Sequence, residues 1–239
     1  MSNLIIDEGN SMCKMAVAAD SGAIIAHQAY HNIDGAVLLR WIEQYGISRI
    51  ISTSTRRDKV ELPDGLKGIP HMNLDTETKL PIKINYSTPQ TLGRDRIAAA
   101  VGAQVLFPAS NVLIIDVGTA ITIDFLDKNG VYHGGAISPG PEMRAKALNT
   151  FTSKLPLVEV PDKSKLAGKS TIEALQFGIL NGIRFEINGY INAYRAETQD
   201  VKIVVTGGAA AIVNRADVVF EPNLVIIGMN RILEFCTKK

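Results

Sequence analysis

An apolar run that ends in Asp-x-Gly occurs twice in this chain, as LIIDEGN over residues 4–10 and as LIIDVGT over residues 113–119. Each copy is typical of a buried strand that delivers a carboxylate to a tight turn. Because each copy opens its own half of the chain, the pair predicts a duplicated unit whose two turns face one ligand. The stretch PASN at 108–111 is the natural joint, which predicts one domain over 1–110 and a second over 111–239.

The elements predicted after each turn follow the same order in both halves. A hairpin comes first, with its turn at DSG (20–22) in the first half and at DKNG (127–130) in the second. An amphipathic helix is next, over roughly 34–45 and from Ile172 to Tyr194, and then the strands RIIST and KIVVTGG. Each half closes on a helix, DRIAAAVGAQVLF in the first and a segment near GMNRILEFC in the second. The repetition indicates an α/β fold that is built twice.

Composition disfavours two classes of partner, nucleic acids and membranes. The 239 residues are 46% hydrophobic and 21% charged, with 25 Lys and Arg against 24 Asp and Glu. A net charge of +1 supplies no basic field for nucleic acid or a membrane surface, so we expect neither as a partner. The N-terminal residues lack a signal-peptide pattern, and no run reaches the roughly 18 apolar residues of a membrane span. These features predict a cytoplasmic protein.

Other residue patterns do not point to a separate site. Cys13 and Cys236 lie far apart without metal-ligand spacing, which predicts free thiols and no zinc site. His27 and His31 are four residues apart without a third ligand, and residues 56–59 form a mixed charge run typical of a solvated loop. Neither G-x-x-x-x-G-K-[ST] nor G-x-G-x-x-G is present, so phosphate chemistry would use the two Asp-x-Gly turns. Glycine turns admit phosphate oxygens to backbone amides, and two carboxylates can hold hydrated Mg²⁺.

This duplicated pattern resembles the superfamily of actin, sugar kinases and heat-shock ATPases, in which nucleotide binds in a cleft between two related α/β domains. Within that superfamily the chain resembles the type III pantothenate kinase family along nearly its whole length. Four stretches carry the resemblance: DEGNSMCK at 7–14, LGRDR at 92–96, IDVGTAITID at 115–124 and GGAISPG at 134–140. The resemblance implies ATP-dependent phosphorylation of pantothenate to 4'-phosphopantothenate, the first step of coenzyme A biosynthesis.

The resemblance also assigns nucleotide and cation contacts to the two turns. The residues that match the family's first loop, which contacts ATP and Mg²⁺, are Asp7, Glu8, Gly9, Asn10, Ser11, Met12, Cys13 and Lys14. In the second turn, Asp116 matches the ligand of a monovalent cation, K⁺ or NH₄⁺, and Thr119 matches a nucleotide contact. The alternative interpretation of a single Asp-x-Gly copy is a strand end with an Asx turn, which binds no ligand. The chain departs from the family at Glu8, where an aliphatic residue is usual, and at Ser11, which replaces Thr. We expect the Glu8 side chain to point away from the face of Asp7.

Asp95 matches the proton acceptor of the family. Its alternative role is that of a helix N-cap before the run RIAAAV, and a carboxylate near a helix N-terminus is stabilised as the anion that a base requires. The residues assigned to pantothenate by resemblance are Tyr86, Gly93, Arg94, Asp95, Arg96 and Thr171. Arg96 can bind the substrate carboxylate in a fork of donors, whereas packing is the alternative role of Tyr86.

Two other functions remain open at the level of sequence. One is a kinase of another small hydroxylated substrate on the same fold, and the other is a non-catalytic accessory or regulatory member of the same family. The presence of Asp7, Asp95 and Asp116 favours an enzyme. Gly178 and Gly182 would admit a second helix, either within the fold or across a homodimer. The resemblance implies a homodimer in which the neighbouring subunit helps to close the pantothenate pocket.

Overall fold

The computed structural model describes residues 2–19, 21–56, 60, 62–63, 66 and 68–237. The chain forms two compact units, of which unit 1 comprises Met1–Pro108, Asn129–His133 and Asn223–Lys239, and unit 2 comprises Ala109–Lys128 and Gly134–Pro222. The first boundary lies beside the joint expected at 108–111. The helix predicted near GMNRILEFC is present at the end of the second half of the chain, but it belongs to unit 1.

Unit 1 is built on a five-stranded sheet in the order β3-β2-β1-β4-β5. Its elements are β1 (Ser2–Glu8), β2 (Cys13–Ala19), β3 (Ile24–Tyr30), α1 (Gly35–Tyr45), β4 (Ile47–Ser54), β5 (His71–Asn73), β6 (Lys83–Ile84), α2 (Arg94–Leu106) and the C-terminal helix α5 (Leu224–Thr237). A 3₁₀ turn over Pro89–Thr91 precedes α2. Strand β1 runs antiparallel to β2 and parallel to β4, so its carboxyl end meets strands on both sides.

Helix α1 covers one part of this sheet, and its bounds agree with the predicted amphipathic helix. It begins after Asp34, whose carboxylate accepts a hydrogen bond of 2.8 Å from the backbone amide of Val37. It ends at Gly46, which adopts the left-handed conformation with φ of 58°. Leu38 and Trp41 pack in one core cluster with buried residues of β1, β2 and β4. Burial of this apolar face holds the helix to the sheet.

The C-terminal helix packs against α2 at unusually short range. A Cβ atom on Gly228 would lie 1.7 Å from the carbonyl oxygen of Ala98, and one on Gly102 would lie 2.2 Å from the carbonyl oxygen of Leu224. Only glycine permits this approach of two helix backbones. The glycine pair is the physical reason why α5 joins unit 1.

A buried polar group on β4 is fully paired. The hydroxyl of Ser52 lies 2.7 Å from Nε2 of His71 and 2.8 Å from Oδ1 of Asn73, which also accepts the backbone amide of Val60 at 3.0 Å. Because Ser52 has one hydrogen and donates it to Asn73, Nε2 of His71 must be the donor to Ser52. Burial lowers the pKa of His71, which favours its neutral form.

Unit 2 repeats the arrangement of the first. Its elements are β7 (Asn111–Val117), β8 (Ala120–Leu126), β9 (Val131–Pro139), α3 (Pro141–Thr150), α4 (Thr171–Glu197), β10 (Val201–Thr206) and β11 (Val219–Phe220). The sheet order is β11-β10-β7-β8-β9, and β7 runs antiparallel to β8 and parallel to β10, as β1 does to β2 and β4. The first residues of β9 belong to unit 1, where Val131 and Tyr132 pair in parallel with β6.

The core of unit 2 contains the apolar face that the sequence predicts for the long helix α4. Ile179, Ile183, Ile187 and Ile191 of α4 are buried together with apolar residues of β7 and β10. The helix begins after Ser170, whose hydroxyl accepts the backbone amide of Glu173 at 3.2 Å. Periodic isoleucines and a serine cap therefore determine both the face and the start of α4.

Three expectations about the rest of the chain can be compared with the described residues. Cys13 and Cys236, which both lie in the described part of the chain, are thiols outside any disulfide, as predicted. None of the described helices is long and apolar enough to cross a bilayer. A Cβ atom on Gly178 would meet nothing within 4 Å, and one on Gly182 would meet only the Arg144 side chain at 3.5 Å. Among the described residues, no helix backbone approaches these two glycines, so close helix packing within the fold is not their role.

Candidate active site

The first Asp-x-Gly turn connects β1 to β2 in unit 1. Asp7 pairs with Lys14 across the two strands, and the chain reverses between Gly9 and Met12. A Cβ atom on Gly9 would lie 3.1 Å from the carbonyl oxygen of Met12, so the turn is tight at this glycine. Asp7 is 9% exposed, whereas Ser11 is exposed at the turn. The turn therefore presents backbone and hydroxyl groups while protein surrounds most of its carboxylate.

Two of the side chains assigned to the first loop have structural partners. The buried carboxylate of Glu8 accepts a hydrogen bond of 2.6 Å from the hydroxyl of Ser54, and its backbone carbonyl accepts the amide of Thr55 at 2.9 Å. Cys13 is buried in the core cluster of unit 1. The Glu8 side chain thus connects the ends of β1 and β4, and the Cys13 side chain contributes to the core.

Arg56 belongs to the charge run that the sequence assigned to a solvated loop, but it contacts the first turn. Its Nε atom donates to the carbonyl oxygen of Asn10 at 3.2 Å. Residues 57–59 of the same run lie outside the described residues. The contact places a guanidinium group beside the turn, where negative phosphate oxygens would be favoured. Spacing along the chain gave no signal of it, because the two residues are 46 positions apart.

The second turn, between β7 and β8 in unit 2, is enclosed by two glycine backbones. The amide of Gly140 donates to the carbonyl oxygen of Thr119 at 3.0 Å, and a Cβ atom on Gly140 would lie 2.1 Å from the carbonyl oxygen of Gly118. Gly207, with φ of 96°, approaches the carboxylate itself, since its Cβ atom would lie 2.4 Å from Oδ1 of Asp116. A carboxylate and several backbone carbonyls therefore gather at this turn, and such oxygens are the donor set of a hard cation.

Each turn aspartate has a threonine beside it on the neighbouring parallel strand. Asp7 is the register partner of Thr53 on β4, and Asp116 is the register partner of Thr206 on β10. Neighbouring strands lie about 4.8 Å apart, and register partners place their side chains on the same face. Thr53 and Thr206 are 3% and 1% exposed. The sequence contained the signal, because the runs RIIST and KIVVT both end in threonine, but its importance was missed.

Two buried hydroxyl groups near the turns have no hydrogen-bond partner. Among the buried nitrogen and oxygen atoms of the described side chains, only Oγ1 of Thr53 and Oγ of Ser138 are unpaired. Leaving a buried hydroxyl unpaired costs about 1–3 kcal/mol. Thr53 adjoins Asp7 in register, and Ser138 is two residues before Gly140, which contacts the second turn. Both destabilising features therefore lie next to the residues assigned to phosphate and cations.

Asp95 lies in the first turn of α2 in unit 1. The N-cap of this helix is Gly93, so the alternative expectation that Asp95 is the N-cap is wrong. Its Oδ1 atom accepts the backbone amide of Arg96 at 2.9 Å, and a Cβ atom on Gly93 would lie 2.4 Å from this oxygen. Arg96 is buried, with 6% exposure. Gly93 leaves the space in which the Asp95 carboxylate is held.

Two other residues assigned to pantothenate are engaged within unit 1. The guanidinium group of Arg94 donates to the carbonyl oxygens of Pro89 and Gln90 at 3.1 and 3.2 Å, which stabilises the 3₁₀ turn before α2. The ring of Tyr86 lies 6.3 Å from the ring of buried Tyr132, in a tilted arrangement. Packing, the alternative expected for Tyr86, is therefore observed, and the residue is partly exposed.

Thr171, the remaining residue assigned to pantothenate, is exposed at the start of α4 in unit 2. It lines a cavity of about 500 Å³ whose other walls include Leu148 of α3 and Leu175 of α4. Arg144 also lines this cavity and is paired with Glu186. The cavity is thus largely apolar, with one hydroxyl and one neutralised guanidinium group at its surface.

Two similar α/β units, each with a strand-end aspartate in a glycine turn, place the molecule in the actin-like fold class. The fold is similar to that of the activator of 2-hydroxyisocaproyl-CoA dehydratase from Clostridium difficile with bound ADPNP, with a TM-score of 0.58, 14% identity and coverage of 98% of this chain and 97% of that one. The chain belongs to the type III pantothenate kinase family, whose model matches residues 3–193.

Curated members of that family match the chain along almost its whole length. The type III pantothenate kinase of Cytophaga hutchinsonii is 40% identical over 243 residues, which cover 98% of this chain and 99% of that protein. The type III pantothenate kinase of Phocaeicola vulgatus is 40% identical over 246 residues, which cover 99% of each chain. The resemblance inferred from the four sequence stretches is therefore confirmed.

The contact between Gly93 and Asp95 predicts the effect of a Gly93→Ala substitution. The new methyl group would displace the Asp95 carboxylate by rotation of a flexible side chain, so the melting temperature should change by less than about 3 °C. If Asp95 is the proton acceptor that the resemblance implies, turnover should fall by at least about 10-fold, because a displaced base loses much of its contribution. Turnover and melting temperature measured side by side test this. Gly189→Ala is the matched control, since its Cβ atom would meet nothing within 4 Å; parent-like turnover of Gly93→Ala would contradict the prediction.

Proposed function

We propose that this protein transfers the γ-phosphoryl group of ATP to the terminal primary hydroxyl of pantothenate, which yields 4'-phosphopantothenate for coenzyme A biosynthesis. Membership of the type III pantothenate kinase family is the observation that carries the proposal. The class of enzyme, a kinase, follows from the same membership. The substrate hydroxyl would attack the γ-phosphorus in line, and positioned charges would stabilise the transferring group.

We propose Asp95 as the general base of this reaction. One carboxylate oxygen is held by the Arg96 amide, and the second oxygen makes no hydrogen bond with the described residues. A base needs one oxygen oriented by the protein and another that can accept the substrate proton. Buried Arg96 is suited to the pantothenate carboxylate through its fork of donors. Tyr86 and Thr171 would contribute hydroxyl groups to the polar arms of the substrate.

We assign the nucleotide to the two glycine turns. Backbone amides between Gly9 and Met12, the Ser11 hydroxyl and Lys14 would contact phosphate oxygens, and Thr119 would also contact the nucleotide. Asp7 would hold hydrated Mg²⁺, which neutralises phosphate charge when bound. The described residues contain no group of three acidic, His or Cys side chains suited to a metal. This fits an ion that keeps most of its waters and uses one or two carboxylates together with phosphates.

The reaction and the base can be tested in one ADP-release assay. We expect release that depends on pantothenate and not on sugars or polyols, and sugar-dependent release instead would contradict the proposed substrate. Asp95→Asn keeps the size of the side chain and an oxygen for the Arg96 amide, so melting temperature and ATP affinity should stay near those of the parent protein. Turnover should fall by roughly 10²- to 10⁴-fold, the usual contribution of a positioned base. Near-parent turnover of a stable Asp95→Asn protein would rule out Asp95 as the base.

We also propose that Asp116 and neighbouring carbonyls bind K⁺ or NH₄⁺. Activity should then require one of these ions in addition to Mg²⁺, and Na⁺ should substitute poorly. The Gly207→Ala substitution places a Cβ atom 2.4 Å from Oδ1 of Asp116, so it should raise the K⁺ concentration needed for half-maximal activity by roughly 10-fold or more. Titrations of K⁺ at saturating Mg²⁺ measure this. Full turnover in buffer with Na⁺ as its only monovalent cation would refute the proposed ion site.

A homodimer is the assembly that we propose. Helix α4 exposes Ile172 and Phe185, which are 53% and 63% exposed, and Gly178 on the same helix leaves open space. Large apolar side chains left exposed on one helix favour a protein partner, and two-fold dimers are the commonest assemblies. Light scattering at micromolar concentration should give twice the chain mass of 25.8 kDa. The Phe185→Glu variant should shift this mass toward the monomer. A fully active monomeric parent protein would contradict the proposal.

A further inference from the structure

Thr53 carries a hydroxyl group that the candidate mechanism does not use. The residue is 3% exposed, and its Oγ1 atom has no hydrogen-bond partner among the described residues. Most buried polar side-chain atoms in folded proteins are paired. An unpaired atom of this kind is therefore a feature that needs a physical explanation, and its surroundings indicate one.

The register of the sheet places Thr53 beside Asp7 at the first turn. Thr53 on β4 and Asp7 on β1 are register partners in a parallel pair, so their side chains share one face of the sheet. The strands are about 4.8 Å apart, which lets rotation about the Cα–Cβ bond of Thr53 bring Oγ1 within reach of the Asp7 carboxylate. Ser52, one position earlier, lies on the opposite face, where its hydroxyl is paired with His71 and Asn73.

The second unit contains the same pair. Thr206 on β10 is the register partner of Asp116 on β7, and it is buried like Thr53. A duplicated fold that keeps a buried threonine beside the functional aspartate in both copies favours a role for the pair at the site. Packing alone would be served as well by valine, which has nearly the same shape and no hydroxyl to bury.

We propose that Thr53 is a positioning residue for Asp7, whose hydroxyl donates a hydrogen bond to the Asp7 carboxylate when that carboxylate holds the hydrated Mg²⁺ of ATP. This inference rests on the proposed function. A carboxylate that faces a hydrated ion with one oxygen can accept a hydrogen bond at the other, and such a bond determines its orientation. Thr53 acts through Asp7 and does not touch the substrate.

The test is the Mg²⁺ dependence of ATP binding, measured by calorimetry in the absence of pantothenate. The Thr53→Val variant removes the hydroxyl and keeps the shape of the side chain. We expect its Mg²⁺ requirement to rise by roughly 10- to 100-fold, the usual effect of losing a hydrogen bond to a metal-binding carboxylate. Its ATP affinity in EDTA should match that of the parent protein. Its melting temperature should be equal or higher, because the unpaired hydroxyl is gone.

Two further variants separate positioning from a structural effect. Thr53→Ser keeps the hydroxyl and should keep the Mg²⁺ requirement within about 3-fold of the parent protein, since rotation of a serine hydroxyl can make the same bond. Ser52→Ala removes a paired hydroxyl from the opposite face of the same strand. It should lower the melting temperature, because His71 and Asn73 lose a buried partner, and leave the Mg²⁺ requirement unchanged.

A parent-like Mg²⁺ requirement in Thr53→Val would overturn the inference, and so would an equal loss in Thr53→Ser and Thr53→Val. A melting temperature of Thr53→Val several degrees below that of the parent protein would show that the hydroxyl stabilises the fold, and it would overturn the inference as well. Failure of the proposed function is distinguishable from these results. In that case the parent protein itself would show no Mg²⁺-dependent binding of ATP.

Discussion

Parallel pairing of β1 with β4 and of β7 with β10 is the constraint on which the candidate site depends. The register of these pairs places Asp7 beside Thr53 and Asp116 beside Thr206. Since both β1 and β7 are buried along most of their length, their positions are held by the cores of the two units. The first residues of the turns that follow these strands are therefore held in place as well. A carboxylate on such a strand end has little freedom to relax, which suits a site that must stabilise charge without reorganisation.

Glycine backbones border two carboxylates of the candidate site, Asp95 and Asp116. Gly93 lies against Asp95 in unit 1, and Gly207 lies against Asp116 in unit 2, and a Cβ atom on either glycine would lie 2.4 Å from a carboxylate oxygen in its present position. The two contacts arise in different ways, since Gly93 precedes a helix and Gly207 follows a strand in a conformation with positive φ. The common result is that backbone packs directly on a carboxylate. Substitution of Gly93 would therefore act mainly on the Asp95 carboxylate, whereas substitution of Gly207 would also strain the backbone, because its φ is positive and a Cβ atom would lie 2.5 Å from the carbonyl oxygen of Val117.

Glu8, which the resemblance marks as unusual for the family, has a structural role. Glu8 lies next to Asp7 on β1 and, as alternation along a strand requires, its side chain is used elsewhere: its carboxylate accepts the Ser54 hydroxyl at the end of β4. Arg56 lies two residues after the end of β4, and its side chain donates a hydrogen bond to the carbonyl oxygen of Asn10 in the first turn. Glu8 therefore stabilises the strand pair that holds Asp7. The guanidinium group of Arg56 lies beside the turn itself.

The sequence by itself determined the features that depend on local pattern. The two Asp-x-Gly turns, the hairpins after them and the isoleucine face of α4 follow from periodicity and turn chemistry, which act within a few residues. Tertiary structure alone decided the membership of α5 in unit 1, the crowding of Asp95 by Gly93, the contact of Arg56 with Asn10 and the unpaired hydroxyl of Thr53. Strand register and the close approach of backbones set these contacts. Both depend on how segments that are distant in the sequence pack together, and no local pattern in the sequence encodes that packing.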